Sequence, residues 1–313
     1  VDEVTYQGYE VQARAHIPPY FDDLQIRLCD VDGEALQTYI NVKAKFGRSD
    51  GHGGLSAVSL RQHKNVLNQT LKLAQRDGLI QTNPADLVVM PHAAQFTGTF
   101  YTEAQMRDLL TAVKNERLYP IIYVTALYGL RRSEVLGLKW SSIDFERKSI
   151  TINHKVTEQL VNGKYVPVVS DVMKNKTSCR TLPLIPAVEE ELLKQKEKQQ
   201  LYRKLFKKSY STEYLDFVCT DQEGKLIRPN FVTEHFDWLL TKYGLKHIRF
   251  HDLRHSCASL MVMNGVSMKQ VQEWLGHSTF STTADIYAHL DYKSKQGSAG
   301  VIANLLGESK PPK

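Results

Sequence analysis

Strand-forming sequence is confined to one stretch of this chain, residues 149–184, and nearly everything outside it reads as helix. Residues 149–156 (SITINHKV) are β-prone and read as a strand. Asn162-Gly163 between two β-prone runs is the signal of a type I′ hairpin, and residues 180–184 form another short strand. Short strands joined by tight turns pair antiparallel, since parallel pairing needs long crossovers. The predicted fold class is therefore mainly α with a small antiparallel β-sheet.

The helical pattern begins at residues 6–16 and is expected to stop near Pro18-Pro19. Residues 33–46 read as a second helix, and GRSDGHGGL at 47–55 as a loop. In 56–77, Leu60, Leu67, Leu71 and Ala74 share one face, with Gly78 as the stop. Asn83-Pro84 opens a short turn. Residues 93–99 have the small, polar composition of a linker, and Thr102-Glu103-Ala104-Gln105 is a capping box that starts a new helix. The expected organisation is a helical domain at 1–92, a linker at 93–99, a mixed domain at 100–294 and a tail at 295–313. Helices are expected in the mixed domain at 103–114, 118–128, 187–208, 230–243, 252–263, 268–274 and 282–289.

Charge is uneven. Residues 1–99 hold 9 basic and 11 acidic residues, whereas 100–313 hold 31 basic and 23 acidic. A basic second part suits a polyanion, although many proteins of this charge touch no nucleic acid. No apolar run approaches the ~18 residues of a membrane span, and no secretory signal opens the chain. The four cysteines, Cys29, Cys179, Cys219 and Cys257, form no CxxC pair and read as buried free thiols.

No P-loop, dinucleotide fingerprint, HExxH or GxSxG is present. HDLRH at 251–255 stands out instead, followed by Leu275-Gly276-His277 and then Tyr287. Upstream, GLRRSE at 129–134 puts two arginines at a helix–turn–helix joint, and KNKTSCR at 174–180 lies at the edge of the hairpin. These residue types suit phosphoryl transfer without a metal. Guanidinium forks clamp phosphate oxygens, and fixed cations stabilise the transition state. A Lys or His moves protons, and a Tyr hydroxyl attacks phosphorus. The rival pattern is His247, His251 and His255, which on one continuous helix would stack as metal ligands. Asp252 near a helix start breaks that register, and no metal site is expected.

On these motifs the chain resembles the tyrosine site-specific recombinases, or integrases. GLRRSEVLGLKW is similar to the motif of the family's first arginine, with Arg131 at the catalytic position and Arg132 at a free one. The run from His251 to Leu290 is similar to the His-x-x-Arg, Leu-Gly-His and Tyr signature, and MKNKTSCRTLPL to the hairpin with the catalytic lysine. The resemblance implies catalytic roles for Arg131, Lys174, His251, Arg254, His277 and the nucleophile Tyr287. Lys176 competes with Lys174, because hairpin length varies. His255 and His289 are read as structural, and Glu134 as a buttress of the arginines.

The resemblance further implies a helical core-binding domain joined to an α+β catalytic domain, closing as a clamp on double-stranded DNA. It implies cleavage through a 3′-phosphotyrosine, without metal or ATP, by copies that associate on DNA as dimer to tetramer. A directionality factor, no membrane and a bacterial cytoplasmic setting complete the expectation. Arg61, Lys64, Lys139, Lys176 and Arg180 are candidate DNA contacts; on the long helix, Arg61, Lys64 and Lys72 read individually as a solvated face, with phosphate contact as the functional alternative. In the tail, Val301, Ile302, Leu305 and Leu306 fall at helical spacing and pack either on their own domain or, in trans, on a neighbour. The start just before the first core-binding helix implies a preceding arm-binding domain. That feature and the extended hairpin resemble integrases of phages and conjugative transposons, so a mobile-element integrase is the expected function. The alternatives are a type IB topoisomerase-like enzyme and a DNA-binding protein without catalysis.

Overall fold

The computed structural model describes residues 3–92, 100–170 and 179–277. Its contacts divide the chain into two compact units, residues 1–97 and 98–313.

The first unit is built from α1 (Glu3–Asp23), α2 (Gly33–Phe46) and α3 (Ala57–Arg76). Asp32 and Ser56 cap α2 and α3 by accepting from Ala35 N (2.8 Å) and Ser59 N (3.1 Å). Leu60, Leu67, Leu71 and Ala74 are all buried on α3, as their spacing requires. One expectation fails: α1 does not stop at Pro18-Pro19 but runs through both. Each proline removes a helical hydrogen bond and costs about 3 kcal/mol. Ile17, Tyr20 and Phe21 nevertheless pack against the core around Tyr39 and Leu36. Tyr20 meets the Tyr39 ring edge-on at 5.0 Å, and Phe21 stacks on it at 5.4 Å. Tertiary packing of that turn outweighs the local penalty.

The second unit opens with α4 (Glu103–Ala112), α5 (Tyr119–Tyr128) and α6 (Arg132–Leu136). The Thr102–Gln105 capping box is formed. The strands β1 (Ile143–Asp144), β2 (Ser149–Ile152), β3 (Lys155–Val161), β4 (Lys164–Ser170) and β5 (Arg180–Pro183) follow. Then come α7 (Pro186–Phe206), α8 (Pro229–Lys242), α9 (Asp252–Met263) and α10 (Met268–Leu275). The expected helix at 282–289 and the tail lie outside the described residues.

The strands form two antiparallel sheets rather than one. β1, β2 and β5 make a three-stranded sheet, and β3 and β4 a separate hairpin inserted between β2 and β5. The expected strand at 149–156 is thus two strands. Asn153 accepts from the Ser142 hydroxyl at 3.0 Å, and a Cβ on Gly137 would lie 2.6 Å from the Lys155 backbone. The end of α6 therefore sits directly on the chain where it leaves the first sheet. The hairpin turn is type I′, with positive φ at Asn162 (50°) and Gly163 (76°).

The main core of this unit joins the apolar α5 to α9 and the sheet through Ile122, Tyr128, Leu130, Ile150, Phe236 and Leu253. Cys219 and Cys257 are buried, their thiols pushed up to about 12 by desolvation. Cys29 and Cys179 are exposed, contrary to expectation. The first lies in a short surface turn after α1, and the second just precedes β5.

Candidate active site

Gly129 ends α5 in the left-handed region (φ 63°). An added Cβ there would come within 2.5 Å of Leu275 Cδ2, so the turn lies against the end of α10. The turn delivers Arg131 to the N-cap of α6 and Glu134 to its first turn.

Glu134 is 2% exposed and is the hub of the site. Arg131 donates to its Oε1 from Nη1 at 2.6 Å and to its Oε2 from the backbone N at 3.0 Å. Arg180 Nη2 donates to Oε2 at 3.1 Å, and Arg254 Nη1 lies 3.9 Å from the same oxygen. Burial alone would raise the pKa of this carboxyl. The guanidiniums of Arg180, Arg131 and Arg254 outweigh burial and hold it below the usual range. Three guanidiniums against one carboxylate leave the cluster cationic, which suits an anion.

The same arginines converge on the end of α10. Arg180 Nε donates to Trp274 O at 2.7 Å and Arg254 Nη2 to Leu275 O at 2.8 Å. Arg131 Nη2 reaches Gly276 O at 3.5 Å. Three consecutive carbonyls at the negative end of the helix dipole thus each meet an arginine from a different part of the chain. Arg254 Nη1 also donates to Gly129 O at 2.6 Å, closing the link to the end of α5. Arg254 is 2% exposed, while the Arg131 side chain is 35% exposed and is the accessible guanidinium.

Gly276 (φ 69°) caps α10 and turns the chain into His277, which is 8% exposed. Burial, then Arg254 and Arg131, push its imidazole down to about 3. His251, at the N-cap of α9, keeps surface accessible to solvent while its imidazole packs against the His255 ring. Desolvation, His255 and Arg254 push it to about 4. Both rings are therefore neutral near pH 7, and the same shift makes each a weaker base than a free imidazole. The start of α9 is fixed by Asp252, which accepts from Arg249 N at 2.8 Å and from its guanidinium at 2.7 Å.

The three-histidine register does not form. His251 and His255 meet edge-on at 5.1 Å, while His247 lies outside α9 with its Nε2 against the Asp237 carboxylate on α8. No group of three His, Cys, Asp or Glu suited to a metal occurs among the described residues.

Of the six residues expected to be catalytic, Arg131, His251, Arg254 and His277 come together. Lys174 and Tyr287 lie outside the described residues, as does Lys176. Among the candidate DNA contacts, Arg61 is exposed. Lys64 instead donates to Val88 O at 2.8 Å within its own unit. Lys139 is half-buried with its ammonium 5.3 Å over the Phe217 ring. Arg180 is 9% exposed and belongs to the Glu134 cluster. The strand alternates buried and exposed from Arg180 to Pro183, so Arg180 shares the inward face with Leu182. That alternation was readable in the sequence. The carbonyls of Trp274, Leu275 and Gly276 carry no side-chain signal. Arg132, beside Arg131, turns away to donate to Thr233 Oγ1 at 2.5 Å.

Residues 99–294, which include Lys174 and Tyr287, match the model of the Phage integrase family. The chain belongs to the Phage integrase family. It is 27% identical over 267 residues to the tyrosine recombinase XerC-like protein of Caldanaerobacter subterraneus subsp. tengcongensis, covering 80% of this chain and 67% of the relative. The transposase from transposon Tn916 of Enterococcus faecalis is 26% identical, over 77% of this chain and 60% of its own length. For the ICEBs1 integrase of Bacillus subtilis the values are 26%, 78% and 64%. This integrase-family chain thus spans about two thirds or less of these relatives.

Among solved structures, the Tn1549 transposon integrase in complex with a circular intermediate DNA has a TM-score of 0.74 at 21% identity, covering 97% of this chain and 95% of that one. A lambda integrase dimer bound to a COC′ core site gives 0.61 at 17% identity, with 90% of each chain covered. The fold is that of these integrases: mainly α, with small antiparallel sheets.

Proposed function

We propose that this chain is a site-specific DNA recombinase of a mobile element, cutting and rejoining strands through a 3′-phosphotyrosine for integration and excision. The observation that carries the reading is the convergence of Arg131, Arg254, His277 and buried Glu134 at the end of α10. The family and the names of its relatives support it.

In this reading the Tyr287 oxygen attacks the scissile phosphorus and passes its proton to neutral His251. The phosphorus–O5′ bond breaks, and the 5′ oxygen takes a proton from Lys174. Arg131 presents donors to the non-bridging oxygens. Arg254 and His277, beneath it, supply fixed charge and a hydrogen bond as negative charge builds. A 5′-hydroxyl from the partner duplex then attacks the phosphotyrosine, and each proton transfer runs in reverse. One ester replaces another, so the bond energy is conserved and the balance needs neither ATP nor a metal. Copies of the chain assemble on two duplexes as a tetramer in the cytoplasm, with a separate factor setting direction. No described helix is long and apolar enough to cross a membrane.

The test is a DNA substrate nicked beside the scissile phosphate, incubated in EDTA and run on a denaturing gel. The parent is expected to form a covalent adduct and Tyr287→Phe none. An adduct in both moves the nucleophile elsewhere. Bound DNA with no adduct in either leaves a binding protein.

A further inference from the structure

Arg249 stands two residues before His251, in the turn that leads into α9. Ile248 and Phe250 on either side of it are buried, and Phe250 packs edge-on against Phe236 of α8 at 5.4 Å. The backbone between these anchors turns Arg249 outward, and its side chain is 61% exposed. An exposed arginine normally samples many rotamers, but Arg249 is held in one. Its Nε donates to Asp252 Oδ2 at 3.1 Å, its Nη2 to Oδ1 at 2.7 Å and its backbone N to Oδ2 at 2.8 Å. The Asp252 side chain is 4% exposed, so the anchor is buried while the guanidinium it grips is at the surface. Arg131 is held in the same way: its backbone N and its guanidinium both donate to the carboxylate three residues on, Glu134, at the start of α6. Asp252 takes the Nε–Nη2 edge of Arg249, so the Nη1 side of the plane points away from that carboxylate. The charge of Arg249 reaches the site already described. Burial, opposed by Asp252, and then Arg249 hold the His255 imidazole below its usual value, and His255 meets His251 edge-on at 5.1 Å.

We propose that Arg249 is a phosphate-binding residue, which presents a guanidinium aligned in advance by Asp252 to a DNA phosphate flanking the scissile one. This rests on the strand-transfer reading above and goes beyond it, since neither the catalytic motifs nor the candidate DNA contacts include Arg249. Two residues span at most about 7 Å. Phosphates follow one another every ~3.4 Å of helix axis along each strand. The phosphate that Arg249 meets therefore lies within a nucleotide or two of the one that His251 serves. A planar guanidinium matches phosphate oxygens with parallel donors, and holding it in place beforehand removes the ordering cost of binding.

The experiment measures affinity for the nicked duplex over a series of salt concentrations. Each phosphate contact contributes about 0.9 to the slope of log affinity against log salt. Arg249→Gln is expected to lower that slope by about 0.9, a roughly eightfold loss of affinity at about 0.1 M salt. Arg249→Lys keeps a cation beside Asp252 and should keep the parent slope. An inactive fraction scales every point of one titration alike and drops out of the slope. Arg107→Gln removes another exposed arginine of the second unit, paired with Glu103 on α4, and should leave the slope as in the parent. Replacing single phosphates beside the scissile one by neutral methylphosphonates locates the contact. At one position the parent should lose roughly eightfold in affinity and Arg249→Gln nothing further. A parental slope for Arg249→Gln, an equal fall for Arg107→Gln or for Arg249→Lys, or additive losses at every flanking phosphate each overturns the proposal. A parent that forms no Tyr287-dependent adduct sinks the strand-transfer reading first, and the proposal with it. A normal parent adduct with a parental slope for Arg249→Gln sinks the proposal alone.

Discussion

Glu134 compensates guanidiniums from β5, α9 and the residue before α6 within a site it shares with almost no solvent. Removing its carboxylate strands buried positive charge, so Glu134→Ala should destabilise the second unit by about 3–5 kcal/mol. Urea denaturation checks this; an unchanged midpoint would mean that water or anions already neutralise the cluster. Much at this scale was legible. Arg131, Arg254 and His277 were marked by their motifs, and Glu134 as a buttress by its position in the first. Arg180 was misplaced among surface DNA contacts because a cation in a basic stretch is normally solvated. The alternation that makes it inward-facing carries weight only once β2 is known to pair with it.

The site depends on how elements end. α5 stops at a left-handed Gly129 whose carbonyl Arg254 takes up, and α10 stops at Gly276, whose last carbonyls the three arginines hold. Gly129→Ala forces a side chain into a left-handed position against Leu275 and should cost about 1–3 kcal/mol. It should also slow adduct formation more than it weakens DNA binding, read by denaturation and by the nicked substrate. Equal losses in both would mean the turn does not set the catalytic geometry. In the hairpin, Gly163→Ala should cost about 1–2 kcal/mol from the left-handed penalty, seen as a lower melting temperature. The helices α2 and α3 follow directly from caps and apolar spacing, which act within a few residues. The course of α1 through two prolines and the split of 149–156 do not. The first is decided by aromatic packing on Tyr39, the second by α6 sitting on the backbone at Lys155.

At the scale of the molecule, buried histidines tie stability to pH. His63 in the first unit bonds Tyr39 Oη at 2.8 Å and is pushed to about 4, by burial and then by His16 and Lys43. His277 lies near 3. In the unfolded chain both protonate near 6.5. Between those values the unfolded state binds more protons, so stability grows with pH and declines as pH falls from about 7 toward 4.5. Urea midpoints at pH 7.5 and 5 test this, and a flat profile contradicts it. In the proposed complex, DNA phosphate beside His277 and His251 would offset the arginine field and raise both, so complex formation should take up protons and tighten as pH falls toward 6. Binding isotherms across that range decide the matter. The basic excess of residues 100–313 should make affinity fall steeply with salt.

Sequence alone determined the helical character of both parts, the stretch that holds every strand but β1 (Ile143–Asp144), and the motifs that assign this chain to its family. Those depend on periodicity, capping and turn chemistry, which span only a few residues. The tertiary structure decided which cations face the site and which serve its frame. Arg131 and Arg180 lie 49 positions apart in sequence yet share one carboxylate, and Lys64 and Arg132 turn to partners of their own. Electrostatic pairing in a buried site depends on distances of a few ångströms between segments far apart in the chain, and no local pattern encodes them.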